Sequence, residues 1–371
     1  MTELRVLHVL AHLTRDQGGL LSTLQGYCSA LARAGAFSTV ATVGDGEDLE
    51  HAEVLRFAPG TPRRMAASPR LKTWLLGNAA RFDAVVAHGL WLSPTRYAFA
   101  AATAARKPFF LRPAGMLDPD ALAHHPLRKT VRWWLGERGM VRKAQLLFST
   151  HEDLERCAGH LRLDLARCHV LPNCVGESWF GIVRKPQDPP LLLCLNRLHP
   201  RKGVREWVQA LSLLRQKGVS FQAVHAGAEE DPQYAAECRA AGVSAGVRWE
   251  GVVGVKRVHE HLAQAAVVAH PTVGYENFGM VIAEAMAAGV PVAASRRALL
   301  TPQLERAGLV EACEPTAIEI AAAMERAMRA APDCAQRARE YTREHFSEGA
   351  VGATLAALLS RRDQIGRDVG Q

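Results

Sequence analysis

The chain has 371 residues, of which 48% are hydrophobic and 22% charged, and its formal net charge is +8. This length exceeds what one hydrophobic core usually supports, so two domains are expected, and the ordinary globular composition excludes disordered and fibrous classes. No stretch reaches the roughly 18 apolar residues that a membrane-spanning helix needs. The first residues, MTELRVLHVLAHLTRD, lack the basic start and cleavage site of a secretory signal, so a first strand is expected there.

The basic charge permits attraction to nucleic acid, to an anionic membrane surface or to a phosphate-bearing substrate, and a solvated basic surface accounts for it equally well. The eight cysteines are scattered and form no CxxC pair. Several lie inside apolar runs, which favours buried free thiols in a reducing cytosol over disulfides or a zinc site.

The first part of the chain alternates short apolar runs with longer amphipathic ones, a pattern typical of βαβ units and a parallel sheet. Helices are predicted over residues 20–35 and through residues 98–106. Strands are predicted over residues 4–11, 37–43, 84–87, 109–111 and 146–149.

Residues 171–190 break this pattern with four prolines and two glycines, which predicts a linker. The alternation then restarts, with helices over residues 204–217 and 283–288 and further helix formers up to residue 362. Strands are predicted over residues 191–198, 221–226, 247–250, 267–270 and 290–294. The pattern therefore predicts one αβ domain over residues 1–170 and another over residues 191–345, and a C-terminal helix of about 346–371 can pack back on the first.

The most informative stretch is HPTVGYENFGMVIAEAMAAGVPVAAS, residues 270–295. A predicted strand is followed by a loop that contains Glu276, Asn277 and Gly279, and then by a helix that bears Glu284. Ligands bind at the carboxyl ends of parallel strands, and a glycine lets the main chain approach a ligand closely. Spacing alone leaves open that the two carboxylates are ordinary surface groups.

The string E-N-F-G-x-V-x-A-E-A-x-A-x-G-x-P-V resembles the ExxxxxxxE region of glycosyltransferase family 4, a retaining group with the GT-B fold of two Rossmann-like domains that face each other across a cleft. The resemblance implies that Glu276 and the main chain of Asn277, Phe278 and Gly279 bind the donor sugar. It also implies that Glu284 binds the ribose of the nucleotide. Family 4 enzymes generally need no bound divalent ion, so no metal and no cofactor are expected.

Residues 195–203, LNRLHPRKG, follow the first strand of the second half and resemble the GRLxxxKG segment of that family, with Asn196 in place of the first glycine. Fixed cations at a strand end can hold a diphosphate. The resemblance assigns Arg197 and Lys202 to the donor diphosphate. In isolation, an Arg–Lys loop is more often solvated surface.

The glycine pair Gly18–Gly19 lies between the first strand and its helix. It does not form GxGxxG, so a nicotinamide cofactor is not indicated, but glycines at a helix start can approach a phosphate. The family has a similar pair, which implies donor binding. An ordinary tight turn is the alternative.

Two further segments of the first half match the family. His88, in DAVVAHGLW, ends a predicted strand and resembles the histidine that approaches the transferred sugar. The stretch LRPAGMLDP resembles the branch used in cell-surface polysaccharide assembly, which implies an acceptor contact for Arg112. Asp118-Pro119-Asp120 matches a DxD metal pattern, but a helix start with Asp118 as N-cap is the better interpretation.

Residues 126–144, PLRKTVRWWLGERGMVRKA, place four apolar residues on one helical face and contain a single acidic residue. A basic amphipathic helix with tryptophans can lie on an anionic membrane surface. A helix packed on the core through that face is equally compatible. The apolar residues are Leu127, Val131, Trp134 and Leu135.

The sequence thus predicts a retaining glycosyltransferase that uses a nucleotide-diphosphate sugar and a glycan or lipid-linked acceptor, in the cytoplasm or on the inner face of the plasma membrane. The alternatives are a non-catalytic nucleotide-sugar-binding protein and a nucleotide-sugar epimerase. Nucleic acid is not an expected partner. After Ser295 the family usually has a glycine-rich loop, whereas this chain has RRALLTPQLERAG, so the identity of the sugar stays open.

Overall fold

The computed structural model describes residues 3–14, 19–124 and 126–360, apart from the side chain of Pro332. It divides into two compact units. The first unit contains the described residues up to Cys174 and from Glu348 onward, and the second spans Val175–Ser347.

The first unit is built on a parallel sheet of seven strands in the order β3-β2-β1-β4-β5-β6-β7. From β1 the chain moves outward on one side and then returns to add β4 on the other, which is the topology of doubly wound αβ folds. The strands are β1 Arg5–Val9, β2 Phe37–Val43, β3 Ala52–Phe57, β4 Ala84–His88, β5 Phe109–Arg112, β6 Gln145–Phe148 and β7 Cys168–Val170.

Helices cover both faces of this sheet, because alternate strand residues point to opposite sides. Val6 and Phe110 belong to the core on the side of helix α1, Gly19–Arg33, whereas Leu7 and Leu111 belong to the core on the side of helix α3, Ser93–Ala104. The helices are α1 Gly19–Arg33, α2 Pro69–Asn78, α3 Ser93–Ala104, α4 Pro119–Ala123, α5 Pro126–Arg132, α6 Arg138–Lys143, α7 His151–Leu161 and, near the end of the chain, α16 Glu348–Leu359.

The C-terminal helix α16 packs against α1 in the first unit. Gly352 makes this approach possible, since a Cβ atom there would lie 2.2 Å from the carbonyl oxygen of Ala30. Val351 and Leu355 are buried in the same contact with Leu31. Residues 361–371, the rest of the predicted C-terminal helix, lie outside the described residues.

The second unit contains a parallel sheet of six strands in the order β10-β9-β8-β11-β12-β13, with the same reversal between β8 and β11. Its strands are β8 Leu191–Leu195, β9 Gln222–Ala226, β10 Val247–Trp249, β11 Ala265–His270, β12 Val292–Ser295 and β13 Glu311–Cys313. Its helices are α8 Glu177–Phe180, α9 Val204–Gln216, α10 Pro232–Ala245, α11 Val255–Gln264, α12 Met280–Ala287, α13 Thr301–Arg306, α14 Ala317–Met328 and α15 Pro332–Phe346.

The division between the two units falls after Cys174, inside the segment predicted as a linker, residues 171–190. From Val175 onward this segment lies on the second unit: the N–H of Val175 donates to the carbonyl of Phe346 at 2.7 Å, and the N–H of Lys185 donates to that of Ala263 at 2.7 Å. Phe180 is buried in the core of the second unit. The prolines therefore mark an irregular but packed segment.

All eight cysteines lie among the described residues, none is bonded to another, and six are buried. Within the described ranges, no helix is long and apolar enough to cross a membrane.

Candidate active site

Two loops meet at the carboxyl edge of the second sheet, one after β8 and the other after β11, which are neighbours. The main chain of Arg201 joins them, because its carbonyl accepts N–H bonds from Val273 at 3.0 Å and from Gly274 at 2.9 Å. Gly203 allows this contact, since it has a φ of +68° and a Cβ there would lie 2.0 Å from the carbonyl oxygen of Pro271. The sequence LNRLHPRKG therefore folds back onto the second loop.

This junction places the ammonium of Lys202 against the carboxylate of Glu276, 74 residues further along the chain. Both side chains are partly buried, with exposed fractions of 16% and 24%. Burial raises the pKa of Glu276, but Lys202 and His270 lower it by more, so its pKa lies below the usual value. Glu276 is therefore a carboxylate at neutral pH, and Lys202 is its counterion.

The loop of Glu276 is also fixed from its other side. Its N–H donates to the carbonyl of Arg297 at 3.1 Å, and its carbonyl accepts from the N–H of Leu299 at 3.0 Å. The chain after Ser295, which departs from the usual glycine-rich pattern, thus supports the Glu276 loop through main-chain bonds. This role does not depend on its side chains.

Helix α12 begins immediately after this loop. Gly279 precedes it with a φ of +80°, a left-handed conformation that glycine adopts without strain. The Phe278 side chain is buried against Phe346, with ring centroids 5.5 Å apart, so only its main chain can contact a ligand. Asn277 accepts a hydrogen bond from the hydroxyl of Tyr275 at 3.2 Å.

Glu284 lies on α12, where most of the other residues are buried in the core. Its side chain is half-buried, and no described residue pairs with it. Burial raises the pKa of Glu284 to about 7. It is therefore a second carboxyl on the helix that begins at the loop, with no charged group to hold it ionised.

Arg197 lies after β8, as predicted, and is half exposed. Its guanidinium pairs with Glu230, in the loop after β9. Its charge also contributes to the lowered pKa of Glu276. The structure thus brings Lys202 and Glu276 into contact, with Arg197 nearby and bound to another carboxylate.

The first unit contains the other predicted residues. His88 ends β4, and its Nε2 lies 3.0 Å from Nδ1 of His8 in β1. Burial lowers the pKa of His88 well below its usual value, and His8 and Arg112 lower it further, so the imidazole is neutral. Gly19 begins α1, with no described atom within 4 Å of where its Cβ would be. Gly18 lies outside the described residues.

Arg112 ends β5 and is only 2% exposed. Its guanidinium donates to the hydroxyl of Tyr27 at 3.2 Å, to that of Ser149 at 2.8 Å and to the amide oxygen of Asn173. Arg112 therefore ties four segments of the first unit together, which is an internal role where sequence resemblance predicted an acceptor contact.

The interpretation of Asp118-Pro119-Asp120 as a helix start is confirmed. Asp118 caps α4 by accepting the N–H of Asp120 at 2.8 Å. Arg156 binds both carboxylates, at 2.6 Å and 3.2 Å. The described residues contain no cluster of three His, Cys, Asp or Glu side chains that could hold a metal ion.

Sequence reasoning missed His8 and His270. His270 was placed correctly at the end of a strand but was given no role, although it is buried beside Glu276 and Lys202. The available signal was a polar residue at the end of an otherwise apolar strand, followed directly by the loop that carries Glu276. His8 lies one residue before the end of β1, and its signal was a polar side chain inside the apolar run VLHV.

Family models match both halves of the chain. Residues 18–174 match a model described as a glycosyl transferase 4-like domain, and residues 176–345 match one described as glycosyl transferases group 1. A direct sequence comparison with the curated proteins found no match.

Solved structures resemble the chain over nearly its whole length at low sequence identity. HepE from Anabaena, solved with UDP and glucose, matches with a TM-score of 0.75 and 18% identity, covering 96% of this chain and 100% of its own. A glycosyltransferase from Rickettsia africae matches with a TM-score of 0.76 and 14% identity, covering 99% and 100%. WaaG, a glycosyltransferase involved in lipopolysaccharide biosynthesis, matches with a TM-score of 0.70 and 17% identity. That match covers 96% of this chain and 100% of WaaG.

These likenesses show the fold, and the two family models cover both Rossmann-like units. The chain therefore has the GT-B fold, belongs to glycosyltransferase family 4 and is a glycosyltransferase.

Proposed function

We propose that this glycosyltransferase moves a sugar from a nucleotide-diphosphate donor to a hydroxyl of a glycan or lipid-linked acceptor, with retention of the anomeric configuration, in cell-surface polysaccharide synthesis. The contact between Lys202 and Glu276 at the carboxyl ends of β8 and β11 carries the proposal. A fixed cation beside a fixed carboxylate fits the two parts of such a donor, the diphosphate and the sugar hydroxyls. HepE, which was solved with UDP and glucose, and WaaG, an enzyme of lipopolysaccharide biosynthesis, support the donor class and the pathway.

The largest developing charge in this reaction lies on the leaving diphosphate. This charge would be stabilised by Lys202, Arg197 and the first amides of α12. Each well-placed hydrogen-bond donor is worth about 3 kcal/mol by comparison with oxyanion holes. Arg197 must release Glu230 for this purpose, and both side chains are exposed enough that the loss of their pair costs about 1 kcal/mol or less.

Glu276 would hold hydroxyls of the sugar, and His88 would approach the transferred sugar as a neutral imidazole. We therefore favour displacement on one face of the sugar over a covalent intermediate. The acceptor oxygen bonds to the anomeric carbon as the bond from that carbon to the phosphate oxygen breaks, and the acceptor proton passes to the leaving phosphate. No metal ion takes part in this scheme, and Asp118 and Asp120, which match a DxD pattern, pair with Arg156.

A panel of UDP-, GDP- and ADP-sugars tests the donor class by thermal unfolding. A donor at 100 times its Kd adds about 2.7 kcal/mol of stability, so the midpoint should rise by about 5–10 °C. If no nucleotide sugar raises the midpoint, the donor proposal is wrong. The selected donor is then assayed in EDTA, and NMR of the product should show a transferred sugar with unchanged anomeric configuration. An inverted product would contradict retention, and an epimerised free donor would favour the epimerase.

Glu284 gives donor binding a defined pH dependence. As a carboxylate it would accept hydrogen bonds from the ribose hydroxyls, but burial raises its pKa to about 7. The affinity for UDP should therefore increase as the pH rises through 7, and Glu284→Gln should remove that increase. Calorimetry measures UDP binding to the wild type and to Glu284→Gln in the same UDP solutions. Protonation of the UDP phosphate affects both proteins equally, so the difference between the two pH profiles reports Glu284. Identical profiles would exclude this role.

We also propose that residues 126–143 dock on an anionic bilayer, which would place the enzyme on the inner face of the plasma membrane. The four apolar residues predicted to share a face are exposed, and none of them is packed into the core. The exposed fractions are 83% for Leu127, 57% for Val131, 65% for Trp134 and 72% for Leu135.

The charges around this apolar face match an anionic surface. The single acid, Glu137, is 1% exposed and is bound by Arg96 at 3.0 Å and by Arg132 at 3.1 Å. Arg138 lies over the Trp134 ring, and Arg128, Arg142 and Lys143 are on the surface. A π-helical turn over residues 133–137 separates α5 from α6, and Trp134 and Leu135 lie in this turn.

The double variant Trp134→Ala/Leu135→Ala tests this docking. Burial of one large apolar side chain is worth about 1.5–3 kcal/mol, so binding to phosphatidylglycerol-containing vesicles should weaken at least about tenfold. Sedimentation with vesicles measures the binding, and Val243→Ala/Ile318→Ala, which truncates two comparably exposed side chains of the second unit, is the control. Equal binding by both double variants would contradict the proposal.

A further inference from the structure

His270, at the carboxyl end of β11, is a buried polar group without a partner. It is 2% exposed, and neither of its ring nitrogens has a hydrogen-bond partner among the described residues. Burial lowers its pKa to about 4, so the imidazole is neutral and carries one N–H. Buried polar atoms are nearly always paired in native proteins, so a histidine that is unpaired on both sides calls for an explanation.

The surroundings of His270 belong to the proposed donor site. Nε2 of His270 lies close to Gly279, in the loop that leads into α12: a Cβ atom added to that glycine would be 3.3 Å from Nε2. Two charged groups are near enough to shift the pKa of His270: Glu276 raises it and Lys202 lowers it. These two groups form the ion pair described above.

The ion pair creates a conflict when a donor binds. Lys202 neutralises Glu276 in the free protein, but the proposed reaction requires the same ammonium for the diphosphate. As Lys202 turns to the diphosphate, the partly buried carboxylate of Glu276 loses its counterion. This loss disfavours binding of the nucleotide sugar unless another hydrogen-bond donor replaces the ammonium. Arg197 is assigned to the same diphosphate, whereas the His270 N–H is not in use.

We propose, on the basis of the function proposed above, that His270 is a positioning residue which donates its Nε2–H to Glu276 when Lys202 engages the donor diphosphate. The exchange keeps Glu276 ionised and oriented toward the sugar. It also explains why the Nε2 atom of His270 is unpaired in the free protein. His270 acts through Glu276 and does not itself contact the reacting atoms.

The probe is inorganic pyrophosphate, which corresponds to the diphosphate group that all such sugar donors share. In ¹⁵N NMR at saturating pyrophosphate, the Lys202 Nζ signal reports engagement of the diphosphate, and the His270 Nε2–H signal should move to the position of a hydrogen-bonded imidazole. If Lys202 responds and His270 does not, this inference fails and the proposed function stands. If Lys202 does not respond, both fail.

Variants give a second readout. His270→Leu should weaken pyrophosphate binding about tenfold, in the range seen for lost supporting hydrogen bonds, whereas His270→Gln, whose Nε2 can occupy the same position, should stay within about threefold of wild type. In the Glu276→Gln background, which has no carboxylate to satisfy, His270→Leu should have no further effect. An equal effect of His270→Leu in both backgrounds would overturn the proposal.

A folding defect is distinguishable from this role. His270→Leu removes unpaired polar atoms from the core, so its thermal midpoint should equal or exceed that of wild type while binding falls. His261→Leu is the matched control: His261 is fully buried with an unpaired Nδ1, but it lies before β11 begins, and its partner Glu250 keeps Arg248 and Arg257. That variant should bind pyrophosphate like wild type.

Discussion

Lys202→Ala is expected to lower kcat by about 100- to 1000-fold and to weaken the binding of UDP markedly, because it removes the cation that pairs with Glu276. A flexible surface lysine would not have this effect. Lys202 is only 16% exposed, and its loop is fixed by the close contact of Gly203 with Pro271, so the ammonium is held at this edge of the sheet before the donor arrives.

The control is Lys217→Ala, which removes a lysine of the same unit that pairs with Glu325 at 2.7 Å on the surface. Calorimetry with UDP and steady-state turnover measure both variants. Unchanged UDP affinity in Lys202→Ala would count decisively against the assigned site.

The same substitution also changes the stability profile with pH. In the wild type the pKa of Glu276 is lowered, so the pair stabilises the fold above the unfolded pKa of about 4.5, and this contribution disappears as the pH falls through the lower folded value. The difference in unfolding free energy between wild type and Lys202→Ala should therefore be largest at neutral pH and shrink in acid.

Glu276→Gln is expected to separate binding from turnover. The amide cannot accept the sugar hydroxyls as the carboxylate does, so kcat should fall by about 100-fold or more. The substitution also releases Lys202 from its counterion, so the affinity for UDP should stay the same or increase. A loss of UDP affinity equal to that of Lys202→Ala would show that the carboxylate does not compete for the lysine.

The control for this variant is Glu230→Gln. Glu230 pairs with Arg197 at the same edge of the sheet, but both side chains are exposed, and exposed pairs contribute about 1 kcal/mol or less. Turnover and UDP affinity of Glu230→Gln should remain close to wild type. Comparing Glu276→Gln with Glu230→Gln therefore separates the specific effect of Glu276 from the effect of removing any negative charge at this edge of the sheet.

Most of the sheet architecture follows from apolar periodicity, because strands buried on both faces are short continuous apolar runs. The central strands β1, β4, β8 and β11 were all predicted. Three strands were not: β3, β7 and β13. All three lie at sheet edges, and β7 and β13 have three residues each, too few for a periodic signal, while β3 is only half-buried and mixes charged with apolar residues.

The candidate site divides in a similar way. The motifs locate Lys202, Glu276, Gly279 and Glu284 after the correct strands, since the chemistry of a strand-end loop is encoded in a few consecutive residues. The partners of these residues are not encoded locally. Arg197 was grouped with Lys202 but pairs with Glu230, and Arg112 was assigned to an acceptor but is bound inside the first unit.

The sequence by itself determined two αβ units, the loops that bear the charged residues and the class of chemistry, because all three depend on patterns within about 20 consecutive residues. Only the tertiary structure decided that Lys202 meets Glu276 across 74 residues, that His270 lies unpaired beneath them and that the apolar face of residues 126–143 is exposed. Each of these depends on which strands become neighbours and on what covers a given face. Those outcomes arise from packing over the whole unit, and no local pattern specifies them.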